Sequence, residues 1–181
     1  MKKGESVKLH TESVVTHPIE KVWETMRDRL PELVPFLSGA ESIQMAERED
    51  LGPGKVRMLN HWQGNKNVAP KAVRPFLTKG LLRWKDHAVW EDSTHTVEWK
   101  FETFHFDKLF ECSGHNRFET TGEGHTKITI SGNLDIYPER MPGVPRFLAK
   151  KLKPKIEGFI SNLVGSNLAD LANGLQKFLD Q

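Results

Sequence analysis

From its amino end the chain first alternates apolar and polar residues and then changes period. Ser6 to Thr16 is rich in Val, Thr and Ser and predicts a strand ending at His17-Pro18, where proline suits the first turn of a helix. In Pro18 to Arg29 the apolar residues Ile19, Val22, Trp23 and Met26 recur at three-to-four spacing, with Glu20, Lys21, Glu24 and Asp28 on the other side. That pattern predicts an amphipathic helix with Trp23 towards the core. Pro31 to Leu37 predicts a second, short helix, and Ser42 to Glu49 a strand. After the Gly52-Pro53-Gly54 turn, strand-like alternation runs through Lys55 to Gly64, Leu82 to Trp90, Thr96 to Phe104, Phe110 to Thr120 and Thr126 to Tyr137. Asn65 to Gly80 reads as a long loop with a short helix near Pro70 to Leu77. From Pro145 to Leu179 the apolar residues, Phe159, Leu163, Leu171 and Leu175 among them, fall on a helical stripe that Pro154 either kinks or restarts.

Strand, short helices, antiparallel meander and long helix predict one α+β domain over residues 1–181. Its curved antiparallel sheet of about seven strands wraps around the C-terminal helix. One face of such a sheet must carry the bulky apolar side chains, which points Asn60, Trp62, Trp84, Asp86, Trp99, Phe101, Cys112 and Asn116 inward. Trp62, Trp84, Trp90 and Trp99 then share one concave surface, each with an indole N–H that wants a partner; a packed core and a ligand wall both fit. Gly114 and Gly132 are expected opposite one another beside Phe101, leaving either a bend or a space. Gly158, Gly165 and Ala172, spaced in sevens, make a small-residue strip on the closing helix. Asn60, Asp86 and Asn116 interrupt the apolar face. A buried carboxylate is expensive, so Asp86 must be paired, protonated or wet, unless a bulge turns it outward.

Composition narrows the function classes. Hydrophobic residues are 37% and charged residues 28% of the 181 positions, a globular balance. The net charge is +2 with acids and bases interleaved, which argues against nucleic acid as a partner. The opening Met1-Lys2-Lys3-Gly4-Glu5-Ser6 runs into polar residues rather than an apolar leader, and the single cysteine, Cys112, suits a reducing compartment, so the expected location is cytoplasmic. The eight histidines lack zinc-motif spacing, and His61, His87 and His115 fall on the outer face, as solvated residues or as a three-strand cluster. No metal or cofactor is expected. Cys112 reads as a buried, inert thiol. Arg146, Lys150, Lys151, Lys153 and Lys155, interleaved with Phe147, Leu148 and Leu152, form either a solvated helix face or a peripheral contact for anionic lipid.

With its residues laid out this way, the chain resembles the START-like, birch-pollen-allergen-like (SRPBCC) superfamily of helix-grip proteins, which includes polyketide cyclases and aromatases, coenzyme Q-binding proteins and lipid-transfer domains. The resemblance covers nearly the whole chain. It is carried by His17-Pro18-Ile19-Glu20-Lys21-Val22-Trp23, the Gly52-Pro53-Gly54 turn, Cys112-Ser113-Gly114-His115-Asn116-Arg117-Phe118, the strand Thr126 to Leu134 and the long closing helix. It departs in the long Asn65 to Gly80 loop, and no cyclase catalytic motif can be placed residue by residue. The resemblance implies a hydrophobic ligand between sheet and helix. The leading expectation is noncatalytic binding or transport of a lipid, quinone or polyketide-like molecule. Trp62, Trp84, Trp99, Phe101, Phe159 and Leu163 would form the wall, with Asn60, Asp86 or Asn116 reading a polar end. The alternatives are a cyclase or aromatase in which Asp86 is general acid or base, and a protein-interaction module.

Overall fold

The computed structural model describes residues 6–69, 71, 74, 79–104, 110–137, 140, 151, 154, 155, 158, 166 and 169–181. Strand β1 (Val7–Val15) leads into α1 (Ile19–Asp28) and a 3-10 segment (Leu30–Phe36). Six strands follow: β2 (Ala40–Gly52), β3 (Lys55–Gly64), β4 (Arg83–Glu91), β5 (Thr96–Thr103), β6 (Phe110–Thr121) and β7 (His125–Ile136). The C-terminal helix α2 is described continuously over 169–179. All seven strands belong to one antiparallel sheet in the order β1-β7-β6-β5-β4-β3-β2. Each neighbour in the meander is one hairpin away, and β1 completes the sheet by pairing with β7. Of the Asn65 to Gly80 loop, Lys66–Val68 is a 3-10 turn, and most of the helix expected near Pro70 to Leu77 lies outside the described residues.

The local chemistry accounts for these elements. Pro18 caps α1 with φ −58°, and Ile19, Val22, Trp23 and Met26 are its buried stripe. Helix α1 stops at Arg29, where φ is −124°, and the chain continues as a 3-10 segment with Pro31 in its first turn. Gly54, at φ +72°, closes the β2–β3 hairpin in a conformation that disfavours any side chain. Three register shifts along β2, at Ala40/Ser42, Met45/Glu47 and Asp50/Gly52, bend this edge strand and increase its twist.

The core fills the concave side of the sheet. Trp23 is a hub, packing edge-on against Trp90 (ring centroids 4.9 Å apart) and Phe118 (5.1 Å) while its Nε1 donates to Asp92 at 2.8 Å. Arg27 Nη1 donates to the same carboxylate at 2.7 Å. Helix α2 is tied to the start of α1: the Thr16 amide donates to Gln176 Oε1 (2.7 Å), and His17 Nε2 meets Asp180 Oδ1 (2.8 Å). Leu175 is fully buried, a gain of about 1.5–3 kcal/mol for such a side chain. The helix runs close to the 3-10 segment at Gly174, where a Cβ would lie 2.8 Å from Leu37 Cδ2 and 3.1 Å from the Phe36 carbonyl. The expected strip does not hold as a whole: Ala172 is buried, but Gly158 is exposed with open space around it, and Gly165 lies outside the described residues. The helix needs a small residue where it meets the 3-10 backbone, a constraint no heptad spacing reveals.

Candidate functional site

Strand pairing assembles the inner face in rows. One row crosses the sheet as Met45, Asn60, Asp86, Phe101, Cys112, Leu134 and Val7. Beside it lie Ile43, Trp62, Trp84 and Thr103, and on its other side Met58, Ala88, Trp99, Gly114, Gly132 and Leu9. The aromatic members touch in sequence. Trp62 stacks on Trp84 (5.6 Å between centroids, 15° between planes), Trp84 meets Phe101 (6.2 Å), and Phe101 stacks on Trp99 (4.8 Å, 25°). This makes one continuous aromatic surface across β3, β4 and β5. Although they point inward, Trp62, Trp84 and Phe101 are only partly buried.

The glycine pair behaves differently from expectation in one respect. Gly114 does face Gly132, but the neighbour on β5 is Trp99, and Phe101 pairs with Cys112. A two-residue offset keeps every side chain on its face, so alternation alone leaves it open. The indole of Trp99 occupies the space the glycines leave: a Cβ on Gly114 would sit 2.5 Å from Trp99 Cζ2, and one on Gly132 2.9 Å from Trp99 Cη2. Asn116 Oδ1 accepts from Trp99 Nε1 at 2.8 Å, both residues being buried. Asn116 thus fixes Trp99 against the glycines, and its carbonyl oxygen is already engaged.

Asp86 lies on the inner face of a regularly paired strand, with no bulge, and is 8% exposed. Burial pushes its carboxyl up to about 6 from 3.8, against weaker opposing effects of Asn60, Trp62 and His87. Asn60 and Trp62 are near enough to draw the pKa down, yet their contacts fall short of hydrogen-bond geometry. Asp86 Oδ1, Asn60 Oδ1, Trp62 Nε1 and Trp84 Nε1 are all buried without a hydrogen-bond partner. Asn60 and Asp86 are direct cross-strand neighbours, as are Trp62 and Trp84, so two acceptors and two donors belong to adjacent rows at the Trp62–Trp84 end of the aromatic surface. Trp90 Nε1 is similarly unpartnered, nearer the Trp23 hub. Burial, and secondarily the Asp86 charge, pushes the Cys112 thiol up to about 12, which makes it unreactive.

The sequence therefore anticipates that Asn60, Trp62, Trp84, Asp86, Trp99, Phe101 and Asn116 share one face. Phe159 and Leu163, expected on the opposite wall, lie outside the described residues. What sequence reasoning missed is the division of labour among the polar residues: Asn116 supports a tryptophan, whereas Asn60 and Asp86 keep free acceptors. Only the register, which pairs Asn116 with Val97 and so sets it two residues along from the partner of Trp99, carries that signal. Among the described residues no group of three or more His, Cys, Asp and Glu is placed to hold a metal, and no helix is long and apolar enough to cross a membrane.

No family model and no curated protein matches the sequence. Solved structures do resemble the fold. A protein of Thermus thermophilus is 19% identical with a TM-score of 0.64, the match covering 93% of this chain and 97% of that one. The Zhui aromatase/cyclase of Streptomyces sp. R1128 is 11% identical with a TM-score of 0.66, covering 97% and 96%. Norcoclaurine synthase of Thalictrum flavum is 15% identical with a TM-score of 0.58, covering 99% and 89%. The curved seven-stranded antiparallel sheet and the C-terminal helix give this chain the helix-grip fold of the START-like, birch-pollen-allergen-like proteins.

Proposed function

We propose that this chain binds and carries an apolar small molecule with a flat ring system, of the lipid, quinone or polyketide class, between the inner face of its sheet and the C-terminal helix. The observation that carries this reading is the group of four partnerless polar atoms, on Asn60, Trp62, Trp84 and Asp86, at the end of a continuous aromatic surface. Each buried polar atom left unpaired costs about 1–3 kcal/mol. A ligand end that offers both a donor and an acceptor relieves that cost, while Trp62, Trp84, Phe101 and Trp99 supply stacking area for its rings. Phe159 and Leu163 would close the wall from the helix. The carrier works in the cytoplasm, where Cys112 stays reduced. Lys151 and Lys155, both exposed, offer the basic helix face as a peripheral contact with anionic lipid during loading.

A second reading has its own support. A carboxyl pushed up to about 6 can give and take a proton near neutral pH, which suits a cyclase-type enzyme with Asp86 as general acid or base. The fold neighbour from Streptomyces is by name such an enzyme.

Native mass spectrometry of protein from its own host, followed by organic extraction, tests both. A stoichiometric apolar passenger, released unchanged, supports the carrier. A passenger that the protein transforms, with the change lost in Asp86→Asn, replaces the carrier with the enzyme. Protein that emerges empty, and whose tryptophan fluorescence a naphthoquinone fails to quench saturably, overturns the ligand-binding reading.

A further inference from the structure

The outer face of the sheet also holds a concavity. A trough of about 800 Å³ crosses β4, β5, β6, β7 and β1, lined chiefly by two adjacent outward rows. One row is His87, Lys100, Ser113, Asn133 and Lys8; the next is Val89, Glu98, His115, Ser131 and His10. The location is unexpected for a fold whose ligand is sought on the other side of the sheet.

Its charge sets it apart from the rest of the outer face. Of the five lysines on the strands, Lys55, Lys85 and Lys127 pair with Glu91, Glu102 and Glu12. Lys8 and Lys100 have no acidic partner among the described residues, and both line the trough. Glu98 is the one carboxylate in the lining, set against two ammonium groups. Glu102, Glu111 and Asp135 belong to the neighbouring row, outside the lining, where Glu102 is shared between Lys85 and the His87 ring (2.9 Å). Lys8 and Lys100 stand three strands apart, roughly 14 Å at about 4.8 Å per strand. Between them lie groups that can donate hydrogen bonds: the hydroxyls of Ser113 and Ser131, the Asn133 amide and the His115 ring. His10 Nδ1 and Ser131 Oγ are 3.0 Å apart; with the ring proton on Nδ1 the hydroxyl accepts from it and keeps its own proton for a ligand.

We propose that this trough is a second binding site, for a small phosphorylated molecule, distinct from the interior and independent of what the interior holds. Two lysines, at opposite ends of one outward row, flank a floor of hydroxyl, amide and imidazole groups. That arrangement suits an oxyanion with many acceptor atoms, and the volume leaves room for an organic moiety.

Titration of the isotope-labelled protein with inorganic pyrophosphate, followed by amide NMR at low ionic strength, tests the site. Saturable shifts confined to Ser113, His115, Ser131, Asn133 and their neighbours are expected. Lys8→Ala and Lys100→Ala should each raise Kd about fivefold or more, whereas Lys55→Ala, outside the trough, should change it less than about twofold. All three variants remove exposed side chains and should keep the parent circular dichroism spectrum. Shifts that do not saturate, that spread over the surface, or that Lys55→Ala weakens as much as Lys100→Ala would overturn the proposal. Tighter binding of citrate than of pyrophosphate would overturn its assignment to phosphate.

Discussion

Replacing Asp86 by Asn should make the unliganded protein more stable at neutral and alkaline pH, although the residue is buried and the change removes a charged group. Burial raises the folded-state pKa of Asp86 from 3.8 to about 6. At about 1.4 kcal/mol per pH unit, that rise corresponds to about 3 kcal/mol. The sign follows from proton uptake: between those two pKa values the folded chain keeps the proton and the unfolded chain releases it, so stability falls as pH rises through this window. Above about pH 6 the cost is complete. Asparagine has nearly the same shape, carries no charge, and presents an N–H₂ that can serve the orphaned Asn60 Oδ1. Urea unfolding of both proteins, followed by tryptophan fluorescence from pH 3.5 to 8, should show nearly equal stability at the acid end. By pH 8 Asp86→Asn should be ahead by about 2–3 kcal/mol. Other carboxylates, such as Asp28, where the Arg27 and Arg48 guanidinium groups outweigh burial and lower the pKa, weaken both proteins alike as pH falls and cancel in the difference. A gap that is flat from pH 4 to 8, or a variant less stable than its parent at pH 8, would refute the reasoning. A chain that keeps so costly a carboxylate on its inner face trades stability for what that group does there, the pattern expected at a working site.

Two further outcomes follow from the packing and the thiol. Gly114→Ala should cost at least about 2–3 kcal/mol in the same unfolding assay, because the new Cβ would overlap the Ser131 carbonyl, which belongs to the backbone of β7. Gly122→Ala, with nothing within 4 Å, should leave the midpoint almost unchanged; equal midpoints for the two variants would mean that β6 and β7 do not approach as described. Cys112, buried and with its thiol pushed up to about 12, should resist a water-soluble disulfide reagent at pH 8 until urea unfolds the chain. Rapid labelling of the native protein would place the thiol elsewhere.

Much of this protein is determined by its sequence through periodicity alone. The three-to-four spacing of Ile19, Val22, Trp23 and Met26 defines α1, and the alternation from Lys55 to Gly64 and from Phe110 to Thr120 defines strands and faces, since a side chain's direction in a strand depends only on parity. Parity therefore suffices to turn Trp62, Trp84, Asp86 and Trp99 inward. It cannot say which residues meet, because a shift of two preserves every face. The tertiary register decided that Trp99, rather than Phe101, covers Gly114 and Gly132, and that Asn116 is engaged with Trp99. It likewise left Asn60 and Asp86 side by side with free acceptors and set Lys8 and Lys100 on one outward row. Local periodicity fixes orientation because it is a property of a single strand. Partnership is a property of two strands, and only their pairing settles it.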